Sequence, residues 1–177
     1  DAKVVLSVKD MGHSRVSVQI NVTEGPAATL KSVQVDGAPQ FSQRQLKSNF
    51  SAMKTSLTSF ISHNNRYSEQ KLDQSLDYLE NFFLNRGYLQ YRLVSKKVDI
   101  TDDNKGVNIH VTVAPGDVYH IDAVNTSQDI KTNPELAPML TVKTGDVFSK
   151  AAIVEINKSI GDYYANKGYA YARVDVQ

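Results

Sequence analysis

Hydrophobic and polar positions alternate with period two over several stretches of the chain and with helical period over others. Val4, Leu6 and Val8 alternate with polar neighbours, and after a polar turn at 10–14 the alternation resumes with Val16, Val18, Ile20 and Val22. That pattern predicts a β-hairpin over residues 3–23, closed by Glu24-Gly25-Pro26. Residues 30–35 predict a further short strand ending at Asp36-Gly37. Phe41-Ser42-Gln43-Arg44-Gln45 then has the form of a capping box, with Leu46 and Phe50 on one side of a short helix. Residues 51–65 are polar, with Met53, Leu57, Phe60 and Ile61 embedded, and read as a long connection.

The stretch 67–92 is a helix with clear punctuation. Ser68 is the expected N-cap, and Glu69 places an anion in the first turn. Leu72, Leu76, Leu79 and Phe83 share one face, Arg86 falls in the last turn, and Gly87 supplies a left-handed stop. Tyr88 is expected to open a strand over 88–101. Leu89, Tyr91 and Leu93 share one parity of that strand, while Val94, Val98 and Ile100 share the other, so a β-bulge is expected near 94–97. TDDNKG at 101–106 is a polar turn, and Val107, Ile109, Val111 and Val113 alternate without interruption.

The same text is then written again. Ser149, Ile153, Ile160, Tyr164, Gly168, Tyr169 and Arg173 follow Ser68, Leu72, Leu79, Phe83, Gly87, Tyr88 and Arg92 at one constant interval. Val113-Ala114-Pro115-Gly116 stands where Val22-Thr23-Glu24-Gly25 stood, and Ile121 and Val124 stand for Leu30 and Val33. A repeated strand–helix–strand unit indicates tandem modules. The expected fold class is α+β: β-α-α-β-β modules, each a small mixed three-stranded sheet covered on one face by two helices. Residues 1–25 read as the closing hairpin of one module and 26–115 as a complete one. Residues 116–177 read as the next, with a strand near His120, a short helix near 134–140, a long helix from Ser149 and a strand from Tyr169. The chain reads as a fragment of a longer protein.

Composition narrows the chemistry. A formal net charge of +1 is no footprint of a nucleic-acid binder. The absence of cysteine excludes disulfides and thiolate chemistry. No apolar run reaches the length of a membrane span. His13, His63, His110 and His120 show no metal-ligand spacing, and Asp102-Asp103-Asn104 lacks the alternating ligands of a calcium loop. No cofactor, metal or catalytic set is expected.

The residues at 37–42, the run YSxxKLxxxLxxLxxxxxxRGY at 67–88 and TxDxKGVxIxVxVxxG at 101–116 resemble the POTRA (polypeptide-transport-associated) domains of outer-membrane β-barrel assembly factors. The long inter-helix connection is similar to the third repeat of that family, which makes the flanking segments second-like and fourth-like. Gly37-Ala38 departs from the family's usual Gly-Asn; Asn125-Thr126 follows in the next unit. The resemblance implies a periplasmic, non-enzymatic scaffold belonging to an outer-membrane protein. Its implied partners are accessory lipoproteins and unfolded outer-membrane polypeptides. Related POTRA proteins with other tasks, in two-partner secretion, in translocation and assembly, or in cell division, are the alternative.

In the family the strand at 107–113 lies centrally, leaving 88–101 as an edge open to β-augmentation. The expected contact strip is Tyr91, Leu93, Ser95, Lys97 and Val98, acting through backbone more than side chain. The short junction at 114–119 predicts a stiff joint.

Overall fold

The structure, a computed structural model, describes residues 2–12, 15–24, 28–50 and 67–169. The connection 51–65, His13, His63 and the strand expected beyond Tyr169, with Arg173, lie outside the described residues.

Strands β1 (Ala2–Gly12) and β2 (Arg15–Glu24) form the expected antiparallel hairpin. Val4 faces Val22, Leu6 faces Ile20 and Val8 faces Val18, so one side of the ribbon has an apolar middle, and it stays exposed.

The second sheet is built from β3 (Thr29–Asp36), β4 (Arg92–Ile100) and β5 (Gly106–Ala114), in the order β3-β5-β4. β5 is central, parallel to β3 and antiparallel to β4. Its alternating valines and isoleucine, Val107, Ile109, Val111 and Val113, are all buried, as a strand under helices requires. Helix α1 (Gln43–Ser48) begins at Ser42, whose hydroxyl accepts from Gln45 N–H while the Gln45 amide oxygen accepts from Ser42 N–H. Both halves of the capping box are therefore made. Leu46 and Phe50 are fully buried beneath it.

Helix α2 (Glu69–Leu84) starts at Ser68, which accepts from Lys71 N–H. Leu72, Leu76, Leu79 and Phe83 form its buried stripe and join Val33, Val35, Leu46, Phe50, Ile109, Val111 and Val113 in one core. Burial of each such side chain contributes about 1.5–3 kcal/mol. Ser75 is buried on the same stripe because its hydroxyl donates to Lys71 C=O at 2.8 Å, leaving no polar atom unanswered.

The end of α2 departs from the expectation in two ways. The helix stops at Leu84, so Arg86 lies beyond the last turn; its guanidinium donates to Phe82 C=O at 2.8 Å and lies 3.7 Å over the Phe82 ring. Nor does Tyr88 open a strand. Gly87 turns the chain with φ of 87°, Tyr88 N–H bonds Phe83 C=O, Tyr91 N–H bonds Tyr88 C=O, and pairing begins only at Arg92. The cause is aromatic packing. Tyr88 meets Phe83 edge-on and Tyr91 stacks on Phe83 at 4.9 Å. Three residues apart on an extended strand, those rings would point to opposite faces; a turn brings both to one ring.

The later segment contains α3 (Gln128–Thr132), a 3-10 turn at Ala137–Met139 and α4 (Lys150–Asn166). Ser149 caps α4 by accepting from Ala152 N–H, and Ile156 and Ile160 pack with Leu136. The helix expected near 134–140 shrinks to the 3-10 turn, since Pro134 and Pro138 remove two of its donors. The strand expected at His120 is a single bridge to Val147. Around that bridge Ile121 N–H bonds Asp146 C=O and Phe148 N–H bonds Tyr119 C=O, so the segment pairs with the loop before α4 and extends no ladder.

Candidate functional site: an open sheet edge beside a helix

β4 has a side paired with β5 and a side that is unpaired among the described residues. Its register with β5 shifts between Leu93 and Ser95, which leaves Val94 as the extra residue of a β-bulge, within the stretch where the change of phase predicts one. Beyond the bulge, Lys96 is opposite Val111, Val98 opposite Ile109 and Ile100 opposite Val107. Because those β5 residues face the core, Lys96 is turned toward the helices together with Val98 and Ile100. Ser95, Lys97 and Asp99 occupy the other face, where Lys97 and Asp99 pair at 2.9 Å.

The turn sets which backbone groups are free. Thr101 N–H bonds Gly106 C=O at 2.9 Å, which makes that couple a hydrogen-bonded pair. Antiparallel pairs alternate between bonded and non-bonded, so the N–H and C=O groups of Ile100, Val98 and Lys96 point away from β5. The turn itself is held by Asp103, whose carboxylate accepts from Thr101 Oγ1 and from Lys105 N–H. Those hydrogen bonds hold its acid below the usual carboxylate range, the hydroxyl's contribution being the larger. In this polar hairpin turn Asp103 Oδ1 is engaged by both donors.

α2 runs antiparallel to β4 and stands off from it enough to leave a groove of about 360 Å³, lined by Asp73, Leu76, Asp77, Glu80, Tyr91, Leu93 and Lys96. Lys96 Nζ closes one end on Asp73 at 2.8 Å. That hydrogen bond, and the surrounding negative charge, raise the ammonium's pKa above the ordinary lysine value. At the other end burial, aided by the charge of Glu80, pushes the Tyr91 hydroxyl up to about 12.

The predicted strip is therefore split. Ser95, Lys97 and Val98 lie in β4, Leu93 lies at the bulge with 42% of its surface exposed, and Tyr91 precedes the strand as a wall of the groove. The expected strip leaves out Lys96 and the acidic row. Lys96 shares the parity of Val98 and Ile100, and Asp73, Asp77 and Glu80 recur at helical spacing, which were the available signals. Among the described residues no group of three or more His, Asp or Glu is placed to hold a metal. His110 sits between Gln34 and Lys97, and His120 opposite Val147.

Two helices over one face of a three-stranded mixed sheet whose antiparallel edge strand is unpaired on its outer side among the described residues, followed by a second helical unit of like punctuation, define a tandem α+β module protein. The POTRA family model, described as the surface antigen variable number repeat, matches residues 28–116 and again 119–177, and the chain belongs to that family. Over 177 residues it is 24% identical to the outer membrane protein assembly factor BamA of Neisseria meningitidis serogroup B, covering 99% of this chain and 22% of that protein. It is 25% identical over 165 residues to BamA of Buchnera aphidicola, covering 93% of this chain and 27% of that one. The chain thus spans about a quarter of the length of these curated relatives. The crystal structure of POTRA domains 3–5 of Haemophilus influenzae BamA shares the fold, with a TM-score of 0.53 at 17% identity over 99% of this chain and 65% of that one. No helix among the described residues is long and apolar enough to cross a membrane.

Proposed function

We propose that this chain is part of a non-enzymatic periplasmic scaffold for outer-membrane protein assembly, which receives unfolded outer-membrane polypeptides and docks accessory lipoproteins by β-augmentation along β4. The observation that carries the reading is the unpaired side of β4, where the N–H and C=O groups of Lys96, Val98 and Ile100 point outward. Backbone groups accept a strand of almost any sequence, which suits a receiver of varied clients. Membership of the POTRA family and the assembly factors among its relatives support the setting. Within this reading 1–25 closes one repeat, 26–115 is a complete repeat and 116–177 belongs to the next; the exposed apolar face of the β1–β2 ribbon fits a strand pair that completes another sheet.

The test is an amide chemical-shift titration of the chain with a peptide from an outer-membrane β-strand, and separately with purified accessory lipoproteins. Perturbations should follow 92–100 and vanish in Val98→Pro, which removes an outward N–H. Perturbations confined to the helices or to 128–148 would sink the proposal.

A further inference from the structure

The groove beside β4 carries three carboxylates, Asp73, Asp77 and Glu80, against one ammonium, Lys96. Lys96 is committed to Asp73, and none of the salt bridges among the described residues involves Asp77 or Glu80. The floor beside those two is apolar, made of Leu76, Tyr91 and Leu93. A chain of formal net charge +1 therefore keeps a locally negative trough along its open edge.

A strand added to β4 would lay alternate side chains on the helix side of the sheet. One of them would stand over Leu93, with its base against Leu76 and Tyr91 and its tip at the level of Asp77 and Glu80. A long aliphatic stem with a cationic head fits that path, since the stem covers apolar surface while the head stays among carboxylates and water. A carboxylate tip there would meet like charge.

Resting on the reading of β4 as the receiving edge, we infer that the groove selects, among extended segments of unfolded polypeptide, those that place a lysine or arginine on the helix-facing side opposite Leu93. The edge accepts backbone without regard to sequence, and the acidic row supplies one side-chain preference in an otherwise permissive site. An unfolded segment of another polypeptide fits the groove, because the charge of the trough is read by a single side chain of an extended strand.

The experiment uses the whole chain and three blocked β-strand peptides that differ only at the central position, lysine, glutamine or glutamate, followed by amide shifts at low and at raised salt. The lysine peptide should bind about fivefold more tightly than the glutamine peptide, with the glutamate peptide weakest and the spread shrinking in salt. The double substitution Asp77→Asn/Glu80→Gln should abolish the spread, and Glu80→Lys should turn the preference toward the glutamate peptide. Equal affinities for all three peptides, with shifts still running along 92–100, would overturn the selectivity and leave the edge reading standing. No shifts along 92–100 with any peptide would remove the edge reading itself. Shifts there that grow with protein concentration and need no peptide would show a second copy of this chain in the groove, and would overturn the inference.

Discussion

β3 and β4 bound the same sheet, and the chain treats them differently. At β3 the Gln43 side-chain amide reaches across from the first turn of α1: its oxygen accepts from Val35 N–H and its nitrogen donates to Val35 C=O. A side chain thereby takes the place of a neighbouring strand, and Tyr67 N–H adds a bond to Ala28 C=O just before that strand. β4 has no such cover among the described residues. It carries instead a bulge at Val94, a lysine facing the helix and a charged pair on the other face, devices that discourage flat edge-to-edge pairing without filling the backbone groups. The two edges therefore differ: a side chain caps Val35 on the outer side of β3, and among the described residues no side chain caps the outward groups of β4.

The largest expected effect removes the sheet on which the contrast depends. Gly37 ends β3 with φ of 94°, and a Cβ there would lie 1.9 Å from Val113 C=O. Gly37→Ala should cost about 4 kcal/mol in denaturant unfolding, from clash and backbone strain together; retention of parental stability would show that the two strands can separate at this point. Next, neighbouring prolines should separate the two sides of β4. Asp99→Pro removes a donor directed at β5 and should destabilise by roughly 2–4 kcal/mol, whereas Val98→Pro removes an outward donor and should fold while losing strand binding. If both variants unfold alike, the assignment of outward groups is wrong.

A third change uncaps Val35 on the outer side of β3. Gln43→Ala should lower stability by about 1–2 kcal/mol, for two lost backbone bonds, and should let a strand peptide perturb Thr29–Asp36 as well as β4. Perturbations that stay on β4 alone would mean that Gln43 is not what keeps β3 closed. The smallest effect concerns the wall of the groove. Tyr91 has its pKa raised from 10.0 to about 12, so the fold favours its protonated form. That contribution is complete below pH 10 and is lost as pH rises toward 12. In Tyr91→Phe the corresponding part of the alkaline loss of stability should disappear, and one late-titrating phenol should be missing from the absorbance titration.

Much of this fold was legible because its signals are local. Ser42, Ser68 and Ser149 act as the caps that their spacing announces, the leucines of α2 face inward, and the phase change along β4 marks its bulge. What was missed depends on contacts that neither helical nor strand periodicity encodes. Nothing near Gln43 says that its amide will reach back to Val35, and no periodicity says that Tyr88 and Tyr91 will be drawn to one phenylalanine ring. Ser75 reads as polar surface until its hydroxyl is seen to be satisfied within its own helix, and Ile156 occupies the matching place in α4. Of the site, the open edge could be read from strand pattern and family resemblance. The groove could not, since it exists only where α2 and β4 are held apart.

The meeting of the two units has a consequence for how they come undone. Tyr119 N–H bonds Gly87 C=O, the Asn85 side chain accepts from Ala151 N–H in the first turn of α4, and Lys150 reaches Asn81. A donor at the start of one helix, with no partner inside its own helix, is satisfied by the residue that closes another. Unfolding the earlier unit therefore leaves the first turn of α4 without that acceptor, and fraying of α4 leaves the Asn85 side chain without that donor. Stability in such an arrangement is shared between neighbours, as in a one-dimensional lattice with favourable coupling, and the two units melt closer together than either would in isolation.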